Sequence, residues 1–200
     1  LSQYKVLPRE LSYIFTDGKV LTKDELDKLN SLEEESKSKG IPIIGSEKGS
    51  WLLKKVEEVK PQKVLELGTA NGYSGIILGS AGAKVTTIEI EDNIAEEAMR
   101  NFGTFNTNAE IILGDGEEIV NDLAKKNQES FDLIFIDFAK RKYLPVLENC
   151  LKLVKKGGLI IADNISFNGC KDYKEVVLND PRLKTEIIEI KDGLSCSEKL

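Results

Sequence analysis

Asp137, Lys140, Asp163 and Asn164 are the residues whose types and spacing best suit chemistry. They follow two short apolar runs. One continues as Phe135-Ile-Asp137-Phe-Ala-Lys140-Arg-Lys-Tyr143, the other ends Ile161-Ala-Asp163-Asn164. Asp137, Asp163 and Asn164 offer three hard oxygen donors, the kind Mg²⁺ and Ca²⁺ take, and leave coordination positions for water and a substrate. Lys140 is the candidate general base. A lysine acts as a base where a nearby cation and partial desolvation favour its neutral form. Each piece has an ordinary structural use as well. Asp-Asn after a strand is commonly a turn, an aspartate at a strand end often caps the next helix, and Lys140-Arg141-Lys142 reads as a solvated charge run.

A second group surrounds a glycine-rich stretch, Glu66-Leu-Gly68-Thr-Ala-Asn-Gly72-Tyr-Ser-Gly75. Glycines between a strand and a helix let the backbone pass close to a ligand, which then sits at the carboxyl ends of the strands. Glu89 ends the next apolar run, 21 residues after Gly68, and an acid there can accept hydrogen bonds from both hydroxyls of a ribose. A dinucleotide needs Gly-x-Gly-x-x-Gly so that the second glycine admits the pyrophosphate, and that position is Ala70. S-adenosylmethionine has no phosphate. Its sulfonium and ammonium groups favour a carboxylate, and Glu66 stands just before the turn. The residues therefore favour S-adenosylmethionine over NAD.

The composition narrows the chemistry further. The 200 residues contain no histidine, which excludes Ser-His-Asp and Cys-His nucleophilic sites and histidine-ligated metals. The net charge of −6 argues mildly against broad nucleic-acid binding, which rests on neutralising phosphates. Cys150, Cys170 and Cys196 show no CxxC spacing and read as incidental buried thiols. No apolar run reaches transmembrane length and no basic-then-apolar leader opens the chain, which points to the cytoplasm. The first residue is Leu1 rather than methionine, so the biological start is left open.

These residues need a scaffold, and the pattern predicts one. The first sixty residues read as a helical arm of the same domain. Thr22-Lys-Asp-Glu25 is a capping box with Leu26, Leu29 and Leu32 at helical spacing behind it, Gly40 and Pro42 stop that helix, and a second runs from Ser46 to Val59 with Trp51, Leu52, Leu53 and Val56 buried. From residue 61 to 200 strands and helices alternate. Strands are expected at Val64–Leu67, Lys84–Ile90, Ala109–Leu113, Phe131–Ile136 and Leu159–Ala162, with helices near Tyr73–Ser80, Ile94–Phe102, Glu117–Ala124 and Tyr143–Val154. Continuous apolar strands separated by helices predict a parallel sheet covered on both faces. Leu183–Ile190 and Leu194–Lys199, split by Lys191-Asp192-Gly193, read as a hairpin whose last strand is antiparallel. The sum is an α/β sheet of seven strands.

The stretches "VLELGTANGYSGIILG", "TTIEIED" and "ILGDGEEI" resemble the successive cofactor motifs of class I methyltransferases. The Tyr73-Ser74 pair, the D-x-x-K-x-x-Y run from Asp137 and the following Asp163-Asn164 resemble the metal-dependent O-methyltransferases of the catechol and caffeoyl-CoA type. The likeness covers roughly Gly45 to Lys199, including "NDPR" and "DGLSCSEK". It implies a Rossmann-like fold and a catalytic domain that binds S-adenosylmethionine. It also implies that Glu66, Gly68, Gly72, Tyr73 and Ser74 surround the methionine part, Glu89 holds the ribose, and Asp115 and Gly116 lie by the adenine. Asp137, Asp163 and Asn164 would hold Mg²⁺ or another divalent cation, with Asp137 beside the cofactor as well and Lys140 as the base. Ala139 departs from the pattern, since the caffeoyl-CoA branch often has an acid there. Residues Ile165–Lys174 form a shorter stretch than the usual substrate-covering loop, which suggests an open pocket. The implied substrate is a small hydroxylated aromatic with two adjacent hydroxyls. Relatives of the family also methylate a modified uridine in tRNA, for which Lys54, Lys55, Lys140, Arg141 and Lys142 could contact phosphates. Family members are often homodimers.

Overall fold

The alternation of short apolar runs with amphipathic segments closes into one eight-stranded sheet. The computed structural model describes residues 3–8 and 21–200. The chain enters through β1 (Lys5–Pro8) and two helices, α1 (Lys23–Lys39) and α2 (Gly45–Val59). Then come β2 (Lys63–Leu67), α3 (Tyr73–Gly79), β3 (Lys84–Glu89), α4 (Asp92–Thr104), β4 (Ala109–Leu113) and α5 (Gly116–Lys126). The second half holds β5 (Phe131–Ile136), α6 (Tyr143–Leu153), β6 (Val154–Asp163), α7 (Lys171–Asn179), β7 (Leu183–Ile188) and β8 (Leu194–Lys199). Among the described residues no helix is long and apolar enough to cross a membrane.

The strand order is β1-β4-β3-β2-β5-β6-β8-β7. Strands β2 to β6 are mutually parallel, and β8 runs antiparallel to both β6 and β7. The Asp-Gly hairpin and the antiparallel last strand are therefore as the sequence predicts. The strand count is not. An eighth strand, β1, lies antiparallel to β4 at the sheet edge, inside the stretch expected to be helical. Its four residues, Lys-Val-Leu-Pro, are too few for a visible period, and the proline ending it suits an edge. Helix α7 is a second addition to the expected elements.

The helices form as their signals dictate. Thr22 and Glu25 close a reciprocal capping box at the start of α1, and Gly40 ends it in the left-handed region at φ 66°. Leu29 and Leu32 are buried while Leu26 stays exposed. The core has two halves, one on each face of the sheet. One packs Leu29, Leu52, Val56, Ile76, Ala98 and Phe102 from α1–α4 against β2 and β3. The other packs Ile119, Leu123, Val146, Leu147, Tyr173 and Val177 from α5–α7 against β5 and β6. Cys150, Cys170 and Cys196 are buried free thiols.

The direction of winding reverses between the neighbours β2 and β5. In an open α/β sheet the crevice outside the carboxyl ends at such a reversal is where ligands bind. The turn after β2 and the Asp137 turn after β5 both lie there.

Candidate active site

At the reversal the two turns touch through their backbones. The amide of Asp137 donates to the carbonyl of Leu67 at 2.9 Å. Gly68 has φ +99°, and a Cβ on it would stand 2.1 Å from the Asp137 carbonyl oxygen. Only glycine meets both demands, so Gly68 allows the glycine-rich turn and the Asp137 turn to share one rim. Gly72 precedes α3 with φ 91°. Ala70 also has a positive φ of 45°. Its amide donates to Glu89 Oε2 at 3.0 Å, so the donor that a pyrophosphate would need is already held by a carboxylate.

Glu89 ends β3 and ties that strand to the turn. Besides Ala70, it accepts from the amides of Ile90 and Glu91 at 2.8 and 3.1 Å. Glu66 is fully buried. Ser74 donates to its Oε1 at 2.5 Å and Thr87 to its Oε2 at 2.6 Å. Burial pushes the Glu66 carboxyl up to about 8, against the two hydroxyl hydrogen bonds. Tyr73 is buried as well, and its hydroxyl donates to Glu33 of α1 at 3.4 Å. The turn is braced further by Asn71, whose Nδ2 donates to Ser36 Oγ at 2.7 Å.

Asp115 caps α5, accepting from the amides of Glu117 and Glu118 at 2.9 and 3.3 Å. Lys142 donates to its other oxygen at 2.5 Å, and that contact, with the two amides, holds the Asp115 carboxyl below its usual range. Gly116 lies against Phe138, which a Cβ there would meet at 3.0 Å.

The Asp137 side of the rim centres on Lys140. Its Nζ donates to Asp137 Oδ1 at 2.6 Å and to the Tyr143 hydroxyl at 2.9 Å. Tyr143 is buried between Phe138, stacked at 5.8 Å, and Tyr173, edge-on at 5.5 Å, and burial holds its hydroxyl protonated. The ordinary alternative for Lys140-Arg141-Lys142, a solvated charge run, is thus not what the structure holds. Lys140 and Lys142 each grip an aspartate, and Arg141 alone of the three is exposed. Lys55, named for phosphate contact, pairs with Glu58 at 2.7 Å.

Asp163 is buried at the end of β6. Burial and repulsion from Asp137 push its carboxyl up to about 6, against Lys48 and the Asn164 amide. Lys48 is the functional candidate that sequence reading missed. It is only 2% exposed and its ammonium contacts both Asp163 and Asp192. A signal was available, since Lys48 precedes Leu52 and Val56 at four-residue spacing on the buried stripe of α2, where an ordinary lysine does not belong.

Asp137 and Asp163 are the two acids of the predicted donor set, and among the described residues no group of three or more His, Cys, Asp or Glu side chains suits a metal. Any ion there would need neutral oxygens too, and the Asn164 side chain carries one. Two carboxylates that repel one another, with an amide alongside, fit a hard divalent cation. By contrast, a hollow of about 430 Å³ lined by residues such as Glu148, Arg182 and Lys199 lies at the amino ends of the strands, away from these groups.

Comparison with known proteins places the chain in a family. The family model for O-methyltransferases matches residues 19–200. The chain is 33% identical over 170 residues to catechol O-methyltransferase B of Danio rerio, a match covering 77% of this chain and 64% of that one. It is 30% identical over 167 residues to catechol O-methyltransferase of Bos taurus, covering 76% and 61%. The chain thus spans about three fifths of the length of these relatives. The O-methyltransferase of Bacillus cereus, solved in complex with SAH, superposes with a TM-score of 0.77 at 24% identity, covering 90% of this chain and 92% of that one, which shows the shared Rossmann-like fold. With nearly its whole length matched, this chain belongs to the O-methyltransferase family.

Proposed function

We propose that this protein transfers the methyl group of S-adenosylmethionine to a hydroxyl of a small catechol-like aromatic, aided by a divalent cation, Mg²⁺ foremost. The observation that carries this reading is the convergence of Gly68, Asp137 and Lys140 with Asp163-Asn164 at the carboxyl ends of β2, β5 and β6. The catechol O-methyltransferases among its relatives support the substrate class.

In this reading Glu66, Gly68, Gly72, Tyr73 and Ser74 hold the methionine part of the cofactor. Glu89 takes the ribose, and Asp115 and Gly116 border the adenine. Asp137, Asp163 and Asn164 are the residues that would hold the metal. A divalent cation bound there lowers the pKa of a coordinated hydroxyl and orients it. Lys140, in its neutral form, accepts the hydroxyl proton on Nζ. The oxygen then attacks the methyl carbon in line, the carbon–sulfur bond breaks, and the sulfonium leaves as a neutral thioether. Holding the oxygen behind the methyl group supplies much of the rate, up to about 7–11 kcal/mol for ideal alignment.

A transfer assay with labelled S-adenosylmethionine and Mg²⁺, run on a catechol pool and on bulk tRNA, tests the substrate class. Label on a ring hydroxyl of the catechols is expected. Label on tRNA alone, or on neither, contradicts the proposal.

A further inference from the structure

Asn164 is the weakest donor of the proposed set, because an amide can present either oxygen or nitrogen to a cation. The structure contains a device that decides between them. Asn164 Nδ2 donates to Asp192 Oδ2 at 2.6 Å. A carboxylate can only accept, so the amide atom facing Asp192 must be nitrogen. The two terminal atoms of an amide diverge from one carbon, so Oδ1 is turned away from Asp192.

Asp192 is itself fixed from two sides. Lys48 contacts its Oδ1 and also contacts Asp163, so one buried ammonium ties the two carboxylates together. The backbone is stitched as well. Ser166 donates to the Asp192 carbonyl at 3.0 Å and Ile165 to the Gly193 carbonyl at 3.3 Å. The backbone N–H of Asn164 closes the arrangement by donating to Asp163 Oδ1 at 2.7 Å. Asn164 has φ 54°, a left-handed conformation that asparagine tolerates better than most residues. The residues just after Asn164 are therefore held against the β7–β8 turn that carries Asp192.

We propose that Asp192, clamped by Lys48, is a positioning residue that presents the carbonyl oxygen of Asn164 to the metal. The inference rests on the metal-dependent reading above. Partners that orient metal ligands in this way are typically worth ten- to a hundredfold in metal affinity.

The test has a metal-free arm and a metal arm. Without metal, the side-chain NH₂ signals of Asn164 are followed by ¹H–¹⁵N NMR and assigned by their loss in Asn164→Asp. Asp192→Ala should shift them markedly and narrow the difference between their two protons. Unchanged signals overturn the inference whatever the metal does. With Mn²⁺ as probe, Asp192→Ala, studied at a temperature where it stays folded, should weaken binding at least tenfold while S-adenosylmethionine affinity stays close to wild type. The same substitution made on the Asn164→Asp background should not weaken Mn²⁺ further, because a carboxylate has no wrong atom to present and is repelled by Asp192. An equal loss on both backgrounds means that Asp192 acts by charge alone, which overturns the inference. Absence of Mn²⁺ binding to the wild type removes the metal reading and the metal role proposed for Asp192, while the NMR arm still reports whether Asp192 orients Asn164.

Discussion

Replacing Glu66 by glutamine tests whether the acid beside the cofactor turn is an internal carboxyl held largely neutral. Burial raises it from an ordinary 4.5 to about 8. The sign follows from linkage. Between those values the folded protein holds a proton that the unfolded chain has released, so stability falls as pH rises through that window. Each unit costs the folded state about 1.36 kcal/mol, which makes roughly 3 kcal/mol by pH 7 and about 5 kcal/mol above pH 8. Below pH 4.5 the carboxyl is neutral in both states and the penalty vanishes. Glu66→Gln keeps the shape and removes the ionisation, and the Ser74 and Thr87 hydroxyls can rotate to meet the amide. Urea denaturation of the cofactor-free protein at pH 5, 6, 7 and 8 should therefore show the variant gaining on wild type by about 3 kcal/mol across the series. A difference that stays constant with pH would refute the reasoning, because it would mean that Glu66 ionises equally easily folded and unfolded. The same carboxyl should give up its proton to a cationic ligand, so S-adenosylmethionine affinity should rise with pH up to about 8 in wild type and lose that component in the variant.

Gly68→Ala should be costly. The positive φ alone is worth about 1–2 kcal/mol and the collision with the Asp137 carbonyl adds more, so an unchanged melting temperature would contradict the close approach of the two turns. Glu89→Ala should weaken S-adenosylmethionine binding by about 1.5–3 kcal/mol, the range for hydrogen bonds to a charged group, and calorimetry showing equal affinity would contradict its placement at the ribose. Lys140→Ala should slow turnover by about 10²–10⁴-fold at neutral pH, with cofactor affinity retained and rate recovering as pH rises and the substrate hydroxyl ionises unaided. A defect that is flat in pH would remove the lysine from proton transfer.

Much of the scaffold could be read directly because its signals are local. The capping box at Thr22, the stop at Gly40, the five continuous apolar strands and the Asp-Gly hairpin each express a short-range preference that the tertiary structure does not override. The edge strand β1 was hidden because pairing with β4, rather than any pattern of its own, makes Lys5–Pro8 extended. Helix α7 went unnoticed because its residues are mostly polar, with Tyr173 and Val177 as its buried anchors. At the candidate site, residue types and strand ends are what single out Asp137, Lys140, Asp163 and Asn164. The partners could not be read in the same way. Lys48 and Asp163 are 115 positions apart, and that contact exists only once α2 has packed over the sheet. Asp192 looked like plain turn chemistry. Likewise Lys142 resembled its solvated neighbours until the fold placed Asp115 beside it.

If a divalent cation held by Asp137, Asp163 and Asn164 takes part in methyl transfer, chelation must stop turnover. Catechol methylation would be followed with labelled S-adenosylmethionine in EDTA, then after Mg²⁺ is restored, for wild type and for Asp163→Ala. EDTA should abolish wild-type turnover and Mg²⁺ restore it, while Asp163→Ala stays inactive in Mg²⁺ yet binds S-adenosylmethionine as wild type does. Full turnover in EDTA would contradict it, leaving Asp163-Asn164 a plain turn and the enzyme metal-independent.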